Sequence, residues 1–379
     1  MSLTADPASL SRLVVFGALA IGLLLGAVGQ ATRFCTRGAV ADWVEFRSPG
    51  RAMAWMLAIA VGAVLVQGLI AFGLVDGTRV LSWSDRLVWL SALVGGLLFG
   101  AGMILAQGCP QRALVKAGAG NLKAALTLVI IAVAAAMTLR GLFATPRAEG
   151  LDRFNVALGG PQDFGTLIGA AIGASPQAVR LTLAWLLLVA VLALGWRLRR
   201  AVAKGDWIGG VAVGGLVAAA LFLTGNLGFL AEHPETLEPA WLGTQSRRPE
   251  GLSFAAPMAH ALDLLTLWTD RSMVATFGVM LALGVLVGSA VSASLRGEFK
   301  LESFRGPREI GEHVAGGVLM GFGGVTALGC SVGNGVTGMA MLSSGALLAT
   351  AGIVVGAWGV LRWQGRHAGA ATGALAAAR

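Results

Sequence analysis

Long apolar runs alternate with short polar connections along this chain, and the runs recur at about the 20 residues that a helix needs to cross a bilayer. Nine spans are predicted: 13–28, 52–74, 87–106, 124–139, 181–196, 207–230, 272–295, 314–328 and 338–361. No Asp, Glu, Lys, Arg or His falls inside these limits. Membrane proton pumps usually carry such a group in a span. Passive or partner-pulled flow therefore fits the pattern better than proton symport. Two connections are long, 140–180 and 231–271. The first holds a short apolar piece at 167–173, and the second predicts a surface helix over 257–268.

The spans repeat. Gly22, Gly96 and Gly317 each open a G-x-x-x-G, and a cysteine follows each one thirteen residues later, at Cys35, Cys109 and Cys330. A fourth copy opens at Gly210 and has Leu223 in the thiol position. The chain holds 3 cysteines in all, so every one closes a repeat. Four spans, one linking span and four more spans place the two halves in opposite topology. Inverted halves are a recurrent plan of secondary transporters. The expected fold is an all-α polytopic membrane protein with short broken helices. It forms a single transport domain over 1–379, with halves at about 13–144 and 207–361 and a linking helix at 178–200.

Composition agrees: 56% of the 379 residues are hydrophobic, 12% are charged and 56 are glycine, which excludes an ordinary soluble domain. The net charge of +9 raises nucleic acid as a partner, but its cations sit in short loops between spans. Membrane orientation by the positive-inside bias explains that placement, and no nucleic-acid partner is expected. Most of the Lys and Arg fall on the side opposite the N-terminus, which puts the N-terminus outside and the C-terminus in the cytoplasm. The first run lacks a basic leader and a cleavage-like site, so it reads as a retained span.

Two readings stand for each feature of the repeat. G-x-x-x-G lets helix backbones approach closely in lipid, and packing alone accounts for it. A lone membrane cysteine is an ordinary small core residue. Three at one repeat position ask for more. Their spacing fits neither a disulfide framework nor a metal site, so they read as free thiols with no cofactor. Pro110 follows Cys109, Gly329–Gly335 interrupts the eighth span, and Cys35 precedes a short amphipathic piece. Each thiol thus stands at a helix break beside a helix N-terminus, which favours anions. Broken helices at membrane depth line cavities or lie within protein. A thiol is a weak donor and a soft neighbour, suited to an anion carrying its own soft sulfur. Gln30, Gln107, Gln111, Asn226 and Asn334 either donate amides to such an anion or cap helices. Arg33, Arg37, Arg112 and Lys116 either draw it inward or serve as anchors. The substrate-path candidates are Cys35, Cys109, Cys330, Gln107, Gln111, Asn334 and Ser331.

At these residues the chain resembles the YeeE/YedE sulfur-transport family. The contexts are Arg-Phe-Cys35-Thr-Arg-Gly, Gln-Gly108-Cys109-Pro-Gln-Arg and Leu-Gly329-Cys330-Ser-Val-Gly-Asn-Gly. The resemblance implies a bacterial inner-membrane protein that takes up thiosulfate past the three cysteines and is not an enzyme. It also implies hand-over to a small cytoplasmic TusA-like sulfurtransferase of the YeeD type. The alternatives are a membrane-embedded sulfurtransferase carrying a persulfide cysteine, or transport of another sulfur or selenium compound. The first needs an activating base or cation; Arg33 and Arg37 flank Cys35, but no His/Asp pair accompanies it.

Overall fold

The structure is a computed structural model, and it describes residues 6–377. The described residues are mostly helical, with two short antiparallel pairs, Arg86–Leu87 with Val156–Ala157 and Phe229–Leu230 with Ala240–Trp241. The long helices are α1 (Pro7–Thr32), α3 (Gly50–Ala71), α4 (Trp89–Leu105), α6 (Leu122–Arg140), α8 (Pro176–Arg197), α9 (Lys204–Phe222), α11 (Phe277–Leu295), α12 (Pro307–Thr326) and α13 (Ser344–Ala377). Shorter ones stand between them: α2 (Thr36–Ala41), α5 (Pro110–Gly118), α7 (Phe164–Ile172) and α10 (Ala256–Thr266). Proline opens α1, α5, α8 and α12, where its missing N–H goes unmissed and its fixed φ suits the first turn.

Among the described residues, 8 helical segments are long and apolar enough to cross a membrane. The protein is a multi-pass membrane protein. The expected span over 314–328 is α12, which is not among those 8. It begins earlier than expected, at Pro307, so its first turns carry Glu309, Glu312 and His313, and glycine lowers the apolarity of the rest. His313 lies one residue before the expected limit and within this helix. His313 is buried. The expected surface helix over 257–268 is α10, which packs on α6 and α11 and buries Pro257, Met258 and Ala259.

All four copies of G-x-x-x-G pack closely on a neighbouring helix, three of them with backbone carbonyls as the nearest atoms and the Gly317 copy against the Ile130 and Ala134 side chains. A Cβ at Gly22 or Gly26 would strike the Leu281 or Val285 carbonyl of α11. One at Gly96 or Gly100 would strike Ala349 or Ile353 of α13. Gly210 and Gly214 meet Ala54 and Ala58 of α3, and Gly317 and Gly321 meet α6. The copy without a thiol packs like the others, so the glycines and the cysteines do separate jobs. Gly100→Leu is expected to lower the thermal melting point in detergent, since overpacking costs about 1–3 kcal/mol and a backbone carbonyl cannot swing away. Gly215→Ala, where a Cβ would meet nothing, is expected to leave it unchanged or raise it.

The helix pairs follow a rule. α1 packs on α11 and α9 on α3; α4 packs on α13 and α12 on α6. Exchanging α1 with α9, α3 with α11, α4 with α12 and α6 with α13 turns each pair into the other. The α4–α12 and α1–α9 contacts map onto themselves. Outside this set, α7 and α8 are joined by Asp163, fully buried, which takes Arg180 Nε at 2.7 Å while the guanidinium lies over the Trp83 ring. Trp83 Nε1 donates to the Met341 carbonyl at 2.7 Å, and Phe164 N donates to Leu342 at 2.9 Å. These contacts clamp the segment that follows Cys330.

Candidate functional site

The same backbone turn precedes all three thiols. Two residues before each cysteine the chain enters the left-handed region, at Arg33 (φ 57°), Gln107 (φ 55°) and Leu328 (φ 57°). Non-glycine residues pay roughly 1–2 kcal/mol there. At the second and third copies the turn closes alike: Gly108 N donates to Met103 O, and Gly329 N donates to Gly324 O. Each pair satisfies the last carbonyls of its helix. In the fourth copy, Leu223 is helical and opens a π turn, Leu223–Leu227. That copy lacks both thiol and break.

Beyond the turn, Cys35 and Cys109 are extended and serve as N-caps of α2 and α5. Cys35 Sγ accepts the Gly38 N–H at 3.4 Å. Cys330 lies before a π turn, Gly333–Gly338, and its Sγ accepts the N–H groups of Phe254 and Gly333, both at 3.3 Å. Phe254 belongs to the loop before α10, a segment outside the repeats. Cys109 and Cys330 are fully buried, and Cys35 is 8% exposed. Cys109 stands within electrostatic range of both other thiols.

Beside each thiol is a buried polar atom without a protein partner. Thr36 Oγ1, Gln111 Nε2 and Ser331 Oγ make no hydrogen bond among the described residues. Ser331 lies against the Cys109 thiol, so the third cysteine's neighbour serves the second. An unpaired buried donor costs about 1–3 kcal/mol, and native proteins keep few of them. Thr36 and Ser331 directly follow their cysteines and Gln111 stands two residues after Cys109, three of the 13 such atoms among the described residues.

The remaining candidates divide. Asn334 NH2 donates to the Ala327 and Gly329 carbonyls, both at 2.9 Å, so its amide hydrogens cap α12. Gln30 Nε2 donates to Glu298 at 2.8 Å, and Asn226 Nδ2 to the Leu74 carbonyl at 2.8 Å. Gln107 receives Lys116 Nζ on its carbonyl at 2.8 Å. Arg112 donates to the Gly29 carbonyl at 3.0 Å, and Arg37 Nε is buried without a partner.

Two cavities flank the thiols. One, about 470 Å³, is bordered by Cys35 and Gln107 and by six cationic side chains, among them Arg33, Arg37 and Lys116, against one carboxylate, Glu298. The other, about 400 Å³, lies over the Cys330 turn, bordered by Gly333, Asn334, Ser253 and Glu250 and by no Lys or Arg. Cys109 and Cys330 line neither. Burial holds the Glu250 carboxyl above the usual carboxylate range, although its Oε1 accepts the Ser246 N–H at 2.7 Å.

Residues 31–359 match the family described as sulphur transport. The chain belongs to that family. It is 28% identical, over 91% of its length and 93% of the relative's, to the thiosulfate transporter TsuA of Escherichia coli (strain K12). It is 25% identical, over 91% and 97%, to the thiosulfate transporter TsuA of Spirochaeta thermophila.

Proposed function

We propose that this protein carries thiosulfate across the bacterial inner membrane, from the cavity over Cys330, past Cys330, Cys109 and Cys35, into the basic vestibule. The observation that carries the reading is the triplet of thiols at one backbone turn, each with an unpaired buried donor beside it. The thiols offer soft S–H contacts to the terminal sulfur, and Thr36, Gln111 and Ser331 donate to the oxygens. Repeated weak sites suit conduction, because an ion must leave each one. Cys109 is the middle station, being in range of both others. Since it lines neither cavity, an ion displaces packed side chains to reach it.

The exchange rule among helix pairs supports two halves, 13–144 and 207–361, inverted about the linking helix α8. The loop cations support an outer N-terminus and a cytoplasmic C-terminus. In that orientation the basic vestibule faces the cytoplasm, where it draws the dianion in and presents it to a TusA-like sulfurtransferase. The protein acts as a transporter and not as an enzyme. The test is entry of radiolabelled thiosulfate into proteoliposomes. The expected result is protein-dependent entry that unlabelled thiosulfate competes away and sulfate does not. Equal competition by sulfate would overturn a path selected by soft sulfur.

Glu250 adds a pH dependence. It is the one carboxylate bordering the outer cavity; the other titratable group there is His260, which burial and Arg140 hold below its usual range. An ionised Glu250 repels an entering dianion, and no cation in that cavity offsets it. Its raised value means that protonation occurs at higher pH than for a free carboxyl, so entry is expected to rise as pH falls through that value. Glu250→Gln is expected to remove this limb of the pH–uptake curve. An unchanged curve would contradict the role.

A further inference from the structure

A third cavity, about 240 Å³, lies beside the vestibule and shares Gln30, Gln107, Arg112 and Lys116 with it. It runs off the line of thiols, between α5, the start of α6 and the start of α12, and His313 is among its walls. The nine spans read from sequence leave His313 out, and nothing in the proposed path uses it.

Hydrogen bonding fixes the state of this ring. Thr127 Oγ1 lies 2.8 Å from the Lys123 carbonyl and 2.8 Å from His313 Nδ1. A carbonyl only accepts, so the single hydroxyl hydrogen goes to Lys123. Nδ1 therefore carries the ring's hydrogen and donates to Thr127. In neutral His313 this leaves Nε2 as a bare acceptor, buried and without a partner. A bare acceptor buried in the wall of a cavity bordered by Lys116 and Arg112 is mismatched to a naked anion. It is matched to an anion that arrives with a proton.

The surrounding charges point the same way. The groups in electrostatic reach of the ring are Glu309 and Glu312 on its own helix, Lys116 on α5 and Lys123 on α6. Lys123 pairs with Glu309 at 2.6 Å, and Arg308 pairs with Glu312 at 3.1 Å. Across the cavity, Glu298 takes Gln30 and Glu302 takes Asn121, both by side-chain hydrogen bonds, and Lys300 borders both this cavity and the vestibule. Lys116 has no ion pair among the described residues and holds only the Gln107 carbonyl. Among the described residues Arg112, Lys116 and Lys300 border the cavity without an ion pair, against the carboxylates of Glu298 and Glu302, and a protonated ring would add a fourth cation.

We infer that this side cavity is a second anion site, which holds a tetrahedral oxyanion between Lys116 and His313 and takes up one proton on His313 Nε2 as the anion binds. The site needs no soft sulfur. It differs in this from the thiol path.

The test is calorimetric titration of the full chain in detergent with sodium sulfate, in buffers of different ionisation enthalpy, which counts protons. Binding with about one proton taken up is expected, weakening about tenfold per pH unit once the free ring is neutral. His313→Gln is expected to bind at least about fivefold more weakly, with no proton uptake. Thr127→Val frees the ring to carry its hydrogen on Nε2, and is expected to keep binding while losing the proton uptake. That variant guards against a folding defect in the first. Cys109→Ala is expected to leave sulfate binding intact even where it stops thiosulfate entry, which separates the two sites. Absence of sulfate binding, or proton uptake unchanged in both ring variants, would overturn the inference.

Discussion

Cys109→Ala is expected to reduce thiosulfate entry into proteoliposomes by at least about tenfold, with normal amounts of folded protein. Cys109 is in electrostatic range of both other thiols, and Ser331 of the far repeat stands beside it. Its removal opens a gap that no neighbouring thiol spans. A contact worth about 1.5 kcal/mol or more corresponds to that factor. Cys109→Ser is the sharper variant, because it keeps shape and a donor while replacing a soft atom by a hard one. If softness selects the cargo, the serine variant also loses thiosulfate entry. Full uptake in both would mean that the middle thiol is packing material, which is the bland reading of any one buried cysteine.

Gln111→Met is expected to move stability and transport in opposite directions. Gln111 is buried and its Nε2 has no partner, yet it sits in α5 directly behind the Cys109 turn. A Cβ on Gly29 would come within 3.1 Å of that nitrogen, so the neighbouring helix is fitted around the amide. Replacing an unsatisfied amide by an apolar chain of similar length removes a penalty of about 1–3 kcal/mol. A higher melting temperature is therefore expected, together with at least about fivefold slower thiosulfate entry. Strain kept at a site that needs it is a familiar trade. A variant that melts higher and transports at the full rate would show that the amide has no part in the path.

The spans and the three thiols were legible in the sequence because they repeat. G-x-x-x-G and a cysteine at a fixed offset are one pattern copied within one chain, and the shared left-handed turn at Arg33, Gln107 and Leu328 is its structural counterpart. Which amides stay free was not legible. Gln30, Asn226, Asn334 and Gln111 look alike in sequence, and only the fold shows the first three taken by Glu298, Leu74 and the end of α12. The loop that lays Phe254 N on Cys330 lies outside the repeats, so no periodicity points to it. His313 was missed for another reason. Its helix opens on Pro307-Arg-Glu-Ile-Gly-Glu-His, a stretch too polar to read as part of a span, and tertiary packing against α4 and α6 carries the helix through it.

The most direct measurement is a structure of the protein soaked with the selenium analogue of thiosulfate, its terminal sulfur replaced, with selenium located by anomalous scattering. The expected result is selenium in contact with the Cys109 or Cys330 sulfur and oxyanion oxygens on Ser331 or Gln111. Selenium bound only at the lipid-facing surface, or only in cavities out of contact with all three thiols, would contradict the account.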